Sequence, residues 1–347
     1  MNNEKGILIR NVYYMLSYAF QELRRNNYDY ISGEDFEHIH DLFAEILYKG
    51  ISFQLKQGLY REYVERHETI PVLKGKLDIK ETVKNHVARK QVLSCEFDEL
   101  SEDNVFNRIL KTTAGILIRQ RNVSSQRKSQ LKSLMPFFDG VGTVDPFNIH
   151  WNTLRFQRNN QTYKMLMNIC YFILDGMLLT TEAGSYKMAT FSDEHMSRLF
   201  EKFVLEYYRV HHKGLSAYPD QITWDIDNTD DAVVAFLPSM KTDITLHKGD
   251  RTLIIDTKFY GHMMQENFDK KTIHSGNLYQ IFTYVKNQDK DNTGNVTGML
   301  LYALTQEEIT PDMDAIFSGN RILVKTLDLN RDFPLIKSQL DAFTSLI

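Results

Sequence analysis

Apolar residues recur at intervals of three and four in several segments of the chain, which is the spacing of one face of a helix. This pattern predicts a first helix with Val12, Leu16 and Leu23 on its buried stripe, and a second helix over about 42–55. The segment FDELSEDNVFNRILKTTAGILI opens with acidic residues, so we predict a helix with a negative first turn there. Further helices are predicted over about 163–179, 192–210, 277–288 and 334–347.

Other segments alternate apolar and polar residues, or carry short apolar runs, as strands do. Residues 59–80 alternate around Pro71 and Gly75, which predicts short strands joined by turns. The second half carries the strand-like runs QITWDI, AVVAF, KTDITLHK, RTLIIDTKFY, VTGMLLYAL and ILVKTLDL, interrupted by a helix. This order predicts an α/β (α+β) fold: a mixed helix and strand module, followed by a mixed sheet flanked by helices.

The length of 347 residues is typical of two domains. The strongest concentration of turn residues, MPFFDGVGTVDPFN, lies near the middle of the chain. We therefore place the boundary at about residue 155, with one domain over 1–155 and the other over 156–347.

Composition narrows the class of protein. A hydrophobic fraction of 42% and a charged fraction of 25% are those of a globular chain. Cys95 and Cys170 stand far apart without further metal ligands, so we predict two buried thiols. The chain shows no secretory signal and no apolar window of about 18 residues, so we expect a cytoplasmic protein without a membrane partner.

The segment KTDITLHKGDRTLIIDTKFY carries the candidate chemistry. An apolar run of three residues leads directly into Asp256-Thr257-Lys258, and alternation along a strand places Asp256 and Lys258 on one face. A hairpin around Gly249 brings Asp243 beside them. Mg²⁺ prefers carboxylate, carbonyl and water oxygens, so Asp243, Asp256 and the Thr257 carbonyl form a plausible share of its ligands.

Phosphodiester hydrolysis needs such a set, with Lys258 positioning or deprotonating the attacking water. The alternative is structural: Asp256 and Lys258 form an ion pair at a strand end, and Asp243 is a turn residue.

These residues resemble the PD-(D/E)xK nuclease superfamily, with Thr242 where the superfamily name has Pro. The blocks IRNVYYMLSYAF, GLYREY, LKGKLD, FDELSEDNVFNRILKTT, LFEKFV, KTDITL, LIIDTKFY and NLYQIFTY further resemble the McrC family, in the right order over nearly the whole chain. The resemblance implies a Mg²⁺-dependent endonuclease domain over 156–347, with Mn²⁺ as a substitute ion.

The resemblance also implies accessory residues. Glu201 matches an acidic residue on the helix before the sheet, and Gln280 and Tyr284 match a Q-x-x-x-Y element. For each of these, a purely structural or solvated role is the alternative. The loop residues His262, Lys270, Lys271 and His274 either approach DNA or only solvate the loop.

The resemblance implies as partner a McrB-type hexameric AAA+ GTPase, whose GTP hydrolysis residues 1–155 stimulate, with Arg10, Asn11 and 59–80 as candidate contacts. It implies as substrate double-stranded DNA with methylated cytosine, read by the partner. The chain has no G-x-x-x-x-G-K-[ST] motif, so we expect no bound nucleotide.

Two alternatives remain: a non-catalytic adaptor that nucleates and regulates the motor ring, and a nuclease acting on other DNA. Residues 1–150 carry about +1 and residues 151–347 about −5, within a total of −4. We therefore expect the isolated chain to bind DNA poorly.

Overall fold

The computed structural model describes residues 3–4, 7–19, 36, 38–157, 160–174, 177–182, 185–191, 193–226, 235–259, 264–267, 270–304 and 311–347. The helices described there are α1 (Ile9–Ala19), α2 (Ile39–Gln57), α3 (Ile79–Val87), α4 (Val105–Arg119), α5 (Ser125–Leu134), α6 (Gln161–Leu174), α7 (Asp193–His211), α8 (Ser275–Gln288) and α9 (Phe333–Phe343).

The described strands form one larger sheet and several small ones. In chain order they are β1 (Asn3–Glu4), β2 (Ile7–Leu8), β3 (Glu62–Ile70), β4 (Lys76–Leu77), β5 (Leu93–Ser101), β6 (Met177–Glu182), β7 (Ser185–Phe191), β8 (Ser216–Tyr218), β9 (Gln221–Ile222), β10 (Met240–Lys241), β11 (Ile244–Lys248), β12 (Arg251–Lys258), β13 (Met264–Asn267), β14 (Lys270–Ile273), β15 (Val296–Ala303), β16 (Met313–Phe317) and β17 (Asn320–Leu327).

The chain divides into two compact units, and the division differs from the predicted boundary at residue 155. The first unit comprises Met1–Leu42, Gly176–Leu178 and Ala189–Ile347, and the second comprises Phe43–Asp175 and Leu179–Met188. The N-terminal segment therefore belongs to the unit that contains the larger sheet, while residues 156–175 do not.

Long-range contacts explain the place of α1 in the first unit. The Asn11 side-chain amide donates to the carbonyls of Leu329 and Arg331, 2.7 Å away in each case. Arg10 forms an ion pair with Asp332. The sequence suggested Arg10 and Asn11 as contacts for a partner. In the structure, both side chains are engaged by contacts within the first unit.

The larger sheet is mixed, as predicted. Within the described residues six strands form it, in the order β16-β17-β15-β12-β11-β8. β12, β15 and β17 are parallel, and the other neighbours are antiparallel. β12 is buried from Thr252 to Thr257, which agrees with its apolar run. β16 was absent from the sequence prediction.

Helix α8 packs closely on the larger sheet. A Cβ atom built on Gly298 of β15 would lie 2.7 Å from Val285 Cγ2 and 2.8 Å from Ile281 Cγ1. Ile281 and Val285 belong to the buried apolar cluster that also contains Ile254 of β12. The helix that carries Gln280 and Tyr284 is thereby held against the central strands.

The second unit contains a three-stranded antiparallel sheet in the order β3-β5-β4, together with helices α3 to α6. Asn107 of α4 organises the start of this unit. Its side-chain amide donates to the carbonyls of Tyr60 and Glu102, and its Oδ1 accepts from the Tyr163 hydroxyl. This buried amide is fully satisfied and ties α4 to α6 and to the chain before β3.

Helix α3 contacts the neighbouring strand through polar side chains. The Thr82 hydroxyl accepts from the Ser94 backbone N–H at 2.9 Å, and the Asn85 amide donates to the Ser94 hydroxyl at 3.1 Å. Three residues on the exposed side are apolar, beside charged neighbours such as Lys80 and Lys84: Ile79 is 69% exposed, Val83 54% and Val87 78%. They are spaced by four residues, so they form one apolar stripe on the surface.

Several sequence predictions need correction. Ile79 begins a helix instead of ending a strand, because the Asp78 side chain accepts from the Glu81 backbone N–H and caps a helix there. Residues 97–101 belong to β5, so α4 begins after Asn104 and has no acidic first turn. The helix predicted to residue 179 ends at Leu174 and is followed by strand β6. The strand predicted over 232–236 lies mostly outside the described residues.

The two predicted buried thiols agree with the structure. Cys95 and Cys170 are free and buried, and burial raises the pKa of the Cys170 thiol to about 12. Among the described residues, no helix is long and apolar enough to cross a membrane.

Candidate active site

The β11–β12 hairpin brings the candidate residues together. Its register pairs Ile244 with Ile255 and Lys248 with Arg251, which leaves a two-residue loop of Gly249 and Asp250. Gly249 has a φ of +62°, the left-handed conformation that such a tight loop requires. The predicted hairpin is confirmed, and its register carries Asp243 to the end of β12 that holds Asp256, Thr257 and Lys258.

Asp243 lies at a bend immediately before β11 and not within the strand itself. Its Oδ2 accepts two hydrogen bonds from Thr257, one from the backbone N–H at 2.7 Å and one from the hydroxyl at 2.8 Å. The side chain of Asp243 is thus fixed against the end of the neighbouring strand.

Asp256 is the most buried carboxylate of the site, with 2% of its surface exposed. The Lys258 ammonium lies 2.7 Å from its Oδ2 as an ion pair. In the described part of the chain, no donor is aligned with this oxygen as a hydrogen bond. Burial, together with the charge of Asp243, raises the pKa of Asp256 to about 6 against the pull of Lys258.

Lys258 is held by two elements. Besides the ion pair with Asp256, its Nζ donates to Gln280 Oε1 of α8 at 3.2 Å. The Gln280 amide in turn donates to the Tyr284 hydroxyl at 3.0 Å, one helical turn further along. The structure therefore brings Gln280 and Tyr284 into one hydrogen-bonded chain with Lys258.

Glu201 of α7 belongs to the same electrostatic cluster. Its side chain is half-buried, and burial together with repulsion from Asp243 and Asp256 raises its pKa to about 7. Lys241, an exposed residue that the sequence prediction missed, opposes this shift. Three carboxylates crowd this region, which is the arrangement expected where a cation is to be held.

A match to a family model shows which protein family the chain belongs to. The model described as McrBC 5-methylcytosine restriction system component matches residues 2–303. The chain belongs to the McrBC family. The match includes β11, β12, α8 and the whole of the α3 region, so the predicted resemblance is confirmed over nearly the full length.

A relative is similar to this chain in sequence, and a solved structure is similar to it in fold. The chain is 29% identical over 340 residues to the Type IV methyl-directed restriction enzyme EcoKMcrBC of Escherichia coli (strain K12), covering 96% of each chain. Its fold resembles a chain in the Thermococcus gammatolerans assembly of McrB AAA+ hexamers with bound McrC, with a TM-score of 0.56 and 18% identity. That match covers 98% of this chain and 76% of the other.

The remaining site predictions for this McrBC-family chain have mixed outcomes. His274 stands at the position before the first residue of α8. His262 lies outside the described residues, and so do the side chains of Lys270 and Lys271 on β14. The hydroxyl of Thr257 was missed, because alternation along the strand suggested only that it points away from Asp256.

The buried carboxylate of Asp256 leads to a prediction for how the stability of the metal-free protein depends on pH. Because its pKa is raised from 3.8 to about 6 in the folded state, Asp256 contributes stability below pH 3.8 that is lost as the pH rises through 6. The corresponding free energy is about 3 kcal/mol. We expect the difference in unfolding free energy between Asp256→Asn and the wild type to change by about this amount, in favour of the variant, as the pH rises from 4 to 7. Chelator is present throughout.

Urea unfolding at a series of pH values measures this difference. The altered contact with Lys258 changes the stability of the variant by a roughly constant amount at every pH. The test is therefore how the stability difference between variant and wild type changes with pH. A difference that does not change between pH 4 and pH 7 would show that Asp256 titrates normally in the folded chain.

Proposed function

We propose that this chain is the Mg²⁺-dependent DNA endonuclease subunit of a GTP-dependent, modification-dependent restriction complex. The observation that carries the proposal is the cluster of Asp243, Asp256 and Lys258 at the carboxyl end of the central strand β12. In sheets with parallel strands, this end is where ligands bind. Membership of the McrBC family supports the same class of activity.

The residues of the cluster fit a hard divalent ion. The donors are carboxylate oxygens and the Thr257 carbonyl, which are the ligands that Mg²⁺ prefers. Asp256 is buried, and the Lys258 ammonium faces its Oδ2 while the charge of Asp243 lies nearby. Two carboxylates against one ammonium leave negative charge that a divalent cation would compensate. An ion bound there would polarise the phosphoryl oxygen and lower the pKa of a bound water molecule.

The other groups position the reaction. Gln280 orients Lys258, so the ammonium would remain in place when a metal ion balances the negative charge of Asp256. From there it stabilises negative charge that develops on the phosphate, or orients the attacking water. Glu201, with its pKa raised to about 7, accepts hydrogen bonds from water bound near the ion.

The apolar stripe of α3 supports a protein partner. Ile79, Val83 and Val87 are exposed on a helix that contacts strand β5 through Thr82 and Asn85, and an exposed apolar stripe of this kind is typical of a protein interaction site. Beside the stripe lies a cavity of about 370 Å³ whose lining includes Pro71, Val83 and Val92. We infer that this surface docks on an apolar surface of a partner protein.

The partner proposed is a McrB-type hexameric AAA+ GTPase, whose GTP hydrolysis this chain stimulates. The Thermococcus assembly that contains the chain of similar fold consists of McrB AAA+ hexamers with bound McrC. The docking part is then the second compact unit and not residues 1–155, because α1 is tied to the larger sheet.

The substrate proposed is double-stranded DNA with methylated cytosine. The Escherichia coli relative is named as methyl-directed. The chain is acidic overall, with a net charge of −4, so affinity for DNA and choice of the base are assigned to the partner.

Metal binding separates a nuclease from a non-catalytic adaptor. We expect the isolated full-length chain to bind Mn²⁺, with the affinity lowered at least about tenfold by Asp243→Asn, since a direct ligand is lost. Electron paramagnetic resonance of free Mn²⁺ measures this affinity, and Asp250→Asn in the hairpin loop is the matched control. Binding that does not depend on Asp243 would favour an adaptor with a nuclease-like fold.

A further inference from the structure

Thr257 directs both of its hydrogen-bond donors to a single oxygen atom. The backbone N–H and the side-chain hydroxyl donate to Asp243 Oδ2 at 2.7 Å and 2.8 Å. A carboxylate oxygen offers two lone-pair positions in its plane, and two short donors occupy both. Oδ2 is therefore engaged within the protein, and Oδ1 becomes the oxygen that can face an ion.

The hydroxyl stands where an apolar side chain would otherwise fit. Thr257 is 4% exposed, and the residues on the same face of β12, Leu253 and Ile255, are fully buried and apolar. A valine has nearly the shape of threonine but no donor. A buried hydroxyl at this position is satisfied because it reaches the carboxylate at the end of the neighbouring strand.

The backbone N–H alone would leave the orientation of Asp243 loosely determined. A single donor lets a carboxylate rotate about its Cβ–Cγ bond, whereas two donors on one oxygen fix both its position and its plane. Groups that orient a metal ligand in this way commonly change metal affinity by 10- to 100-fold when removed.

We propose that the Thr257 side chain is a positioning residue, which fixes Asp243 so that Oδ1 alone acts as the metal ligand. This inference rests on the proposed function, because it assumes that Asp243 binds the ion. Thr257 thereby has two separate roles: its carbonyl is a candidate ligand, and its hydroxyl orients a second ligand from the adjacent strand.

The test is Mn²⁺ binding by the isolated full-length chain, followed by electron paramagnetic resonance. Thr257→Val removes the hydroxyl and keeps the shape, so we expect affinity to fall by about 10- to 100-fold. Thr257→Ser keeps the donor and is expected to stay within about threefold of the wild type. Thr252→Val is the matched control, since Thr252 is a buried threonine at the other end of β12 whose hydroxyl contacts His247.

Cleavage by the assembled complex gives a second readout. With Thr257→Val, we expect the Mg²⁺ concentration for half-maximal rate to rise by a similar factor, with much of the rate recovered at saturating Mg²⁺. Wild-type affinity in Thr257→Val, while Asp243→Asn is impaired, would overturn this inference and leave the proposed function standing. Equal loss in the Val and Ser variants would show that packing and not the hydroxyl matters. Unchanged binding in Asp243→Asn would overturn both.

Discussion

Asp243→Asn is expected to reduce cleavage of methylated DNA by the assembled complex to background, and Lys258→Ala to lower the rate by about 10²- to 10³-fold. The Asn variant keeps the size of the side chain but loses the charge that would hold the ion. The Ala variant keeps both carboxylates and loses the ammonium that Asp256 and Gln280 hold in position. Single-turnover cleavage in the presence of GTP and Mg²⁺ measures both effects.

GTP hydrolysis by the same complexes is the internal control. Neither variant alters the α3 surface, so stimulation of the partner should remain at the wild-type level. Lys248→Ala, an exposed lysine at the opposite end of the β11–β12 hairpin, should leave cleavage unchanged. Cleavage at the wild-type rate by folded Asp243→Asn would refute the assignment of the nuclease site.

Val83→Asp combined with Val87→Asp is expected to weaken binding to the GTPase partner by at least about 100-fold and to abolish stimulation of GTP hydrolysis. The loss of apolar contact is the smaller part of the effect; placing two carboxylates in a desolvated interface adds a penalty of about 2 kcal/mol or more. Both positions are exposed in the chain itself, so folding should be affected by less than about 1 kcal/mol.

A matched variant separates the apolar stripe from added charge. Gln126→Asp with Ser129→Asp introduces the same two charges at exposed positions of α5, a helix of the same compact unit. It should bind the partner normally. The α3 variant should still bind Mn²⁺ like the wild type, because the metal ligands lie in the other unit. Normal GTPase stimulation by the α3 variant would contradict docking through this surface.

Much of the larger sheet could be predicted because its signals are local. The apolar run before Asp256 and the glycine of the adjacent turn set a strand and a hairpin within about 20 residues of sequence. The same holds for α7 and α8, whose apolar stripes repeat at helical spacing. Strand β16 was missed, since its residues alternate between half-buried and exposed and carry a weak apolar pattern.

The region of α3 shows where local patterns mislead. Periodicity assigns apolar residues to the interior, but in α3 the interior contacts are the hydrogen bonds of Thr82 and Asn85 to Ser94. A helix held by polar contacts has no inward apolar stripe, so its apolar residues do not mark the side that packs on the sheet. The acidic residues before Val105 were likewise assigned to the helix, although they belong to strand β5.

The sequence by itself determined which groups are available for chemistry and that Asp243, Asp256 and Lys258 meet, because a two-residue hairpin loop fixes their register. Tertiary structure decided what depends on residues distant in sequence or on exact side-chain directions. It placed α1 with the larger sheet through contacts to residues 329–332, gave Lys258 its contact with Gln280, and turned the Thr257 hydroxyl to Asp243. Periodicity records only which side of an element is buried, whereas these contacts depend on which other segment covers it.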